Sequence, residues 1–188
     1  IGIVDFDTMI NINAPNIFNE LSSGISGVLD DVNYNWLYSS VENYGKFFDH
    51  EMDYDSYINA GVVFLDNKSL SVYEKLREFY FENKEELDNW DKGGGKEQTL
   101  FNYIVQTNQY QVNLLCPSWN ILAMVKRELV HHNWQKEPIT NPQEPFEWVN
   151  IEGKKPHYVN YGNIYHFTGF PIEWREKIMK YTWELEND

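Results

Sequence analysis

Gly2-Ile3-Val4-Asp5-Phe6-Asp7-Thr8-Met9 is an apolar run that ends in two carboxylates one residue apart. In an extended strand, residues i and i+2 point to the same face, so Asp5 and Asp7 can converge on one cation. An apolar run giving way to Asp also puts the pair at the carboxyl end of a strand, where open α/β sheets bind ligands. The same pattern occurs at strand ends where two acids simply face water. The motif alone leaves both readings open, and the rest of the chain has to decide between them.

The chain has 188 residues, the size of one domain, and a domain of this size buries about 70% of its unfolded surface. Apolar residues at 42%, with 16% aromatics, supply a core and exclude a disordered chain. The 7 Trp, 13 Tyr and 11 Phe suit stacking surfaces for sugars or bases as well as ordinary packing. A net charge of −14 argues against a nucleic-acid binder, which needs basic patches. It leaves room for a small phosphorylated ligand held through a divalent cation. Cys116 is the single cysteine, so neither an intrachain disulfide nor a cysteine-rich zinc site is expected, and a cytoplasmic environment is favoured. No apolar run reaches the length of a membrane span. Residue 1 is Ile, and the chain opens inside a strand-like run. An upstream part of the same protein, or a partner chain, is therefore expected to complete the fold.

Beyond the opening strand, residues 13–21 read as a short helix with Pro15 near its first turn, and residues 22–27 as a small-residue loop. Residues 33–57 read as mostly loop with short helical pieces. Val62 to Leu65 is a β-branched apolar run bounded by Gly61 and Asp66, which suits a buried strand. Ser69 then reads as the cap of a helix with Leu70, Tyr73, Leu76 and Tyr80 on one face. The glycine loop at residues 93–95 precedes a helix over 97–105 that turns Leu100, Phe101 and Ile104 inward. A strand is expected over 110–116, ending in Pro117-Ser118-Trp119-Asn120. Four prolines between residues 138 and 156 predict an excursion loop rather than a second domain. Residues 163–169 alternate like a strand, and Pro171 opens a last helix with Trp174, Ile178 and Tyr181 on one side. Alternating strands and helices predict one α/β domain over residues 1–188.

Five pieces occur in order: Asp5-Phe6-Asp7-Thr8; Asn59-Ala60-Gly61-Val62; Glu97-Gln98 with Leu100 and Asn102; Trp119-Asn120; and His166-Phe167-Thr168-Gly169. In this order and spacing they resemble the glycosyltransferases of the GT-A fold, most closely glycosyltransferase family 8, the glycogenin and galactosyltransferase-like group. The resemblance implies a mixed sheet flanked by helices, here the C-terminal part of that fold. It also implies transfer of a sugar from a nucleoside diphosphate, most often UDP, to a carbohydrate or other hydroxyl acceptor, with retention at the anomeric carbon.

The resemblance makes Asp5, Asp7 and His166 the metal ligands, although Asp7 and His166 stand 159 positions apart (166 minus 7). Mixed oxygen and imidazole ligation suits Mn²⁺, with Mg²⁺ possible. Asp5, Asp7, Asn59, Ala60, Gly61 and Gly169 are then expected on the donor, and Trp119 and Asn120 on the acceptor side. Glu97 and Gln98 stand where relatives carry Asp-Gln, the carboxylate on sugar hydroxyls and the amide near the anomeric carbon. Each residue also has a plain structural reading. For His166 it is a strand histidine satisfied by a neighbour, for Asn59 a turn residue, for Glu97 a favoured acid in a first helical turn, and for Trp119 simple packing.

Two features depart from the family. Its Lys-Pro-Trp after H-F-x-G becomes Phe170-Pro171-Ile172-Glu173-Trp174, which keeps the Trp and lacks the Lys, with Arg175 and Lys177 as candidate substitutes. The portion that binds the nucleobase would precede the Asp5-x-Asp7 motif. A haloacid-dehalogenase-type phosphatase with Asp5 as nucleophile is the competing enzyme, but its Thr or Val four positions on is here Met9. A non-catalytic transferase-like binding module is the third reading.

Overall fold

The computed structural model describes residues 1–30, 34–90, 95–130 and 156–187. The chain divides into two compact units, Ile1–Ile3 with Glu20–Leu115, and Val4–Asn19 with Cys116–Asp188. The strands are β1 (Gly2–Val4), β2 (Thr8–Ile10), β3 (Ile25–Leu29), β4 (Ile58–Leu65), β5 (Val112–Leu114) and β6 (Ile164–His166). The α-helices are α1 (Tyr34–Tyr44), α2 (Ser71–Glu82), α3 (Lys84–Asp88), α4 (Lys96–Thr107), α5 (Ala123–Val130), α6 (His157–Tyr161) and α7 (Ile172–Asn187). The excursion expected at 138–156 and Gly93-Gly94 lie outside the described residues, except for Pro156, the residue before α6.

The first unit is built on a four-stranded sheet in the order β1-β4-β3-β5. β3 runs antiparallel to β4 and parallel to β5, so the sheet is mixed. This is the mixed α/β architecture that the alternation of strands and helices predicts. Ile25, Ile58, Val63 and Leu65 from β3 and β4 share one core with Leu37 of α1, Val72 of α2, and Phe101, Ile104 and Val105 of α4. Each such side chain, fully buried, contributes about 1.5–3 kcal/mol.

Three expectations are corrected in this unit. Residues 25–27 belong to β3 and are not a loop: Gly27 is small because a methyl there would lie 2.9 Å from Ile58 Cδ1. Residues 34–44 form a full helix, because Leu37 is carried into the core and tertiary burial overrides the weak helix propensity of Tyr and Asn. Ser69 makes no side-chain cap on α2, whose N-cap is Leu70. Asp66 supplies the local closure instead, its carboxylate accepting from the Gly24 N–H at 3.0 Å and the Ser69 N–H at 2.8 Å.

The second unit carries β2 paired antiparallel with β6, in the register Thr8 to His166, Met9 to Tyr165 and Ile10 to Ile164. Ile121 bridges to Tyr165 in parallel. Ile121, Val125, Tyr158, Val159, Tyr165, Phe167, Phe170 and Ile178 form its core. Glu128 on α5 accepts from the His157 and Tyr158 N–H groups at 3.0 and 2.8 Å, satisfying the first turn of α6. The helix expected over 13–21 contracts to one 3₁₀ turn, Ile17–Asn19, in which only Ile17 is buried. No helix among the described residues is long and apolar enough to cross a membrane.

Candidate metal centre and a buried amide network

Asp5 and Asp7 follow the last residue of β1, so the pair does sit at the carboxyl end of a strand. It is a turn, however, and not strand alternation, that brings the two acids to one place. The Thr8 N–H and hydroxyl both donate to the Asp5 carbonyl, at 3.1 and 2.7 Å, closing a turn over residues 5–8. β2 then leaves the turn and pairs with β6, and the Phe167 N–H donates to the Asp7 carbonyl at 2.9 Å. That pairing closes the long sequence gap between Asp7 and His166.

One ligand atom from each of Asp5, Asp7 and His166 lies within 4.8 Å of the other two. His166 Nε2 is 3.3 Å from Asp7 Oδ1 and 3.8 Å from Asp5 Oδ2. Octahedral ligation at about 2.1 Å places adjacent donors about 3.0 Å apart and opposite ones about 4.2 Å apart, so the spacing fits a hard divalent ion. His166 is only 2% exposed. Its Nδ1 lies 3.1 Å from Asn120 Oδ1. An amide oxygen can only accept, so Nδ1 carries the proton and Nε2 keeps its lone pair for the acids. Nε2 has no hydrogen-bond partner among the described residues. A buried lone pair facing two carboxylates calls for positive charge between them, which a cation would supply. The donor set therefore fits a divalent metal.

Asp7 is nearly buried, and its Oδ2 accepts from Arg175 Nη1 at 2.8 Å. The Arg175 guanidinium offsets the charge of this nearly buried carboxylate. Asp7 thus offers an ionised carboxylate at the group. Asp5 is exposed at the mouth of the group, and Phe6 between them points outward.

A separate polar network lies buried in the sheet unit. Gln98, in the first turn of α4, donates from Nε2 to Asp30 Oδ2 at 2.6 Å. Its Oε1 accepts from Asn59 Nδ2 and from the Ala60 N–H, both at 3.0 Å. Asn59 Nδ2 also approaches Asp30 Oδ2 at 3.2 Å, while Asn59 Oδ1 accepts from the Gly61 N–H at 3.0 Å. Asn102, one turn on, exchanges bonds of 2.8 Å with the Ile58 N–H and carbonyl. Asn59, Ala60 and Gly61 therefore lie inside β4, where the sequence placed them before a strand. They face the register shift of β3 between Gly27 and Leu29.

The remaining sequence candidates fall as follows. Glu97 is exposed on α4 while Gln98 is buried beside it. Trp119 is buried in the turn Pro117–Trp119, in keeping with a packing role. Asn120 stands behind His166. Gly169 is exposed and has φ +74°, a conformation glycine adopts without strain. Asp30 and Arg175's bond to Asp7 are what the sequence did not disclose. Asp30 directly follows β3, of which only residues 25–27 fall in the expected loop, and the apolar Val28-Leu29 closing in Asp30 is the available signal.

No family model matches the chain, and no curated protein matches it. Among solved structures, the crystal structure of mouse xyloside xylosyltransferase 1, apo form, matches with a TM-score of 0.44 and 17% identity, over 92% of this chain and 58% of that one. The chain spans 58% of that structure's length, and a likeness at this level decides neither the fold assignment nor the activity.

Proposed function

We propose that this chain is a metal-dependent glycosyltransferase domain of the GT-A type, similar to family 8, that moves a sugar from a nucleoside diphosphate, UDP foremost, to a hydroxyl acceptor. The observation that carries the reading is the convergence of Asp5, Asp7 and His166, with Asn120 fixing the imidazole so that Nε2 faces the two acids. An acidic protein with net charge −14 has little basic surface for a diphosphate, and a cation site answers that need.

Asp5, Asp7 and His166 would hold Mn²⁺, or Mg²⁺, and an ion there would neutralise charge developing on the leaving diphosphate. Asn120 positions His166. Asp30 and Gln98 fix the Asn59 side chain and the Ala60 backbone, which the resemblance assigns to the donor together with Gly61 and Gly169. Glu97, exposed at the start of α4, is available to sugar hydroxyls. Both ends of the Gln98 amide are engaged, so reaching an anomeric carbon requires opening one of those bonds. Rate enhancement then rests on positioning and on electrostatic stabilisation of the leaving group, without a strong base. Retention at the anomeric carbon is part of the proposal through the family resemblance.

The test is turnover of a panel of UDP-sugars by the full-length protein, with and without Mn²⁺. Mn²⁺-dependent hydrolysis or transfer is expected. Phosphate release from simple phosphomonoesters, abolished by Asp5→Asn, would replace this reading with the phosphatase. If nucleotide is neither bound nor turned over, the chain is a binding module.

A further inference from the structure

We propose that Arg175 couples the cation site to the diphosphate: it opposes a divalent ion that arrives alone and turns to the diphosphate once both are present. This rests on the metal reading above and adds a role to a residue outside the ligand set.

The geometry is specific. Asp7 divides its two oxygens, Oδ1 toward His166 Nε2 at 3.3 Å and Oδ2 to Arg175 Nη1 at 2.8 Å. One carboxylate would thus bridge an ion and a guanidinium, two positive groups held a few ångströms apart. The Arg175 side chain is 21% exposed against 6% for Asp7, so the guanidinium is the partner that reaches solvent. Its Nε donates to the Phe170 carbonyl at 2.9 Å, and its outer end lies over the exposed Phe6 ring at 5.7 Å. Nε and Nη1 belong to one planar guanidinium, so Arg175 changes partner by swinging the whole group, exchanging the Phe170 bond together with the Asp7 bond.

Charge determines the direction of the effect. Asp5 and Asp7 carry two negative charges and Arg175 one positive, so the ion meets one net negative charge instead of two. Repulsion between the guanidinium and the ion weakens binding of the ion by itself. A diphosphate reverses this, because its oxygens accept from the ion and from the planar, multidentate guanidinium together. Lys177 is exposed two positions further along α7, about 200° round the helix from Arg175.

The experiment is a pair of titrations on the full-length protein, in wild type, Arg175→Gln, Arg175→Lys and Asp7→Ala. Mn²⁺ alone is titrated by electron paramagnetic resonance, and UDP in saturating Mn²⁺ by calorimetry. Arg175→Gln is expected to bind Mn²⁺ about tenfold tighter and UDP about tenfold weaker, while Arg175→Lys, which keeps the charge, stays within a few-fold of wild type for Mn²⁺. Opposite signs on the two ligands are what a structural role would not produce. The coupling is overturned if Arg175→Gln weakens both ligands, or moves neither, while wild type binds Mn²⁺ through Asp7. If wild type and Asp7→Ala both fail to bind Mn²⁺, the metal reading itself falls and this inference with it.

Discussion

Asn120 Oδ1 accepts the Nδ1 proton of His166 at 3.1 Å, and this single bond sets which ring nitrogen faces Asp7. Without it the ring is free to place its proton on Nε2 and lose the lone pair aimed at the two acids. Asn120→Ala should therefore weaken Mn²⁺ binding about 10–100-fold with all three ligands in place, and Asn120→Asp, which keeps an acceptor, should lose less. Mn²⁺ titration of the two variants checks this; equal affinity in wild type and Asn120→Ala would remove Asn120 from the site.

Gly162 precedes the strand that carries His166, and a methyl there would come 2.2 Å from Tyr165 Cε1 and 2.9 Å from the Tyr158 carbonyl. The Tyr165 hydroxyl is tied to Asn11 at 2.7 Å, to the Val159 carbonyl at 3.1 Å and to Glu186 at 2.7 Å, so the ring cannot step aside without breaking bonds. Gly162→Ala should destabilise the protein by about 1–3 kcal/mol. Urea denaturation measures it, and a change below a few tenths would show that the ring has room to move.

The Asp5-x-Asp7 pair at a strand end and the helices after β4 are readable in the sequence because their signals are local: an apolar run ending in acids, and apolar residues at helical spacing over α4 and α7. What brings Asp7 to His166 is not, because β2 and β6 are three residues long and their register is set only by pairing. β3 was hidden for another reason. Ser26 and Gly27 look like loop residues, yet the missing side chain at Gly27 is what lets Ile58 pack across the sheet. Missing β3 also hid Asp30, and with it the reason Gln98 is buried.

Gln98 and Asp30 meet at 2.6 Å as donor and carboxylate in a buried setting. Gln98→Glu replaces that donor with a second carboxylate, and two buried acids so close cannot both ionise cheaply. The variant should lose about 2–4 kcal/mol of stability at neutral pH and regain part of it near pH 5, as one acid takes up a proton. Denaturation at the two pH values decides; a loss independent of pH would point to altered packing.

Tyr57 is buried with its hydroxyl 2.9 Å from that of Thr99, and burial pushes its pKa up to about 12. A folded-state pKa raised above the unfolded value stabilises fully below the unfolded value, and that contribution is lost as pH rises through the folded one. The window is therefore pH 10 to about 12, with a slope of about 1.4 kcal/mol per pH unit for one group. Tyr57→Phe should make the alkaline loss of stability shallower, read from urea midpoints at about pH 9 and about pH 11.5. An unchanged slope would show that Tyr57 ionises without unfolding.

The central claim is that Asp5, Asp7 and His166 hold one divalent ion, and Mn²⁺ titration by electron paramagnetic resonance tests it on wild type, Asp7→Ala and His166→Ala. The account predicts one Mn²⁺ per wild-type chain and loss of that site in both variants. Mn²⁺ bound equally by wild type and Asp7→Ala, or not bound by wild type at all, would contradict it.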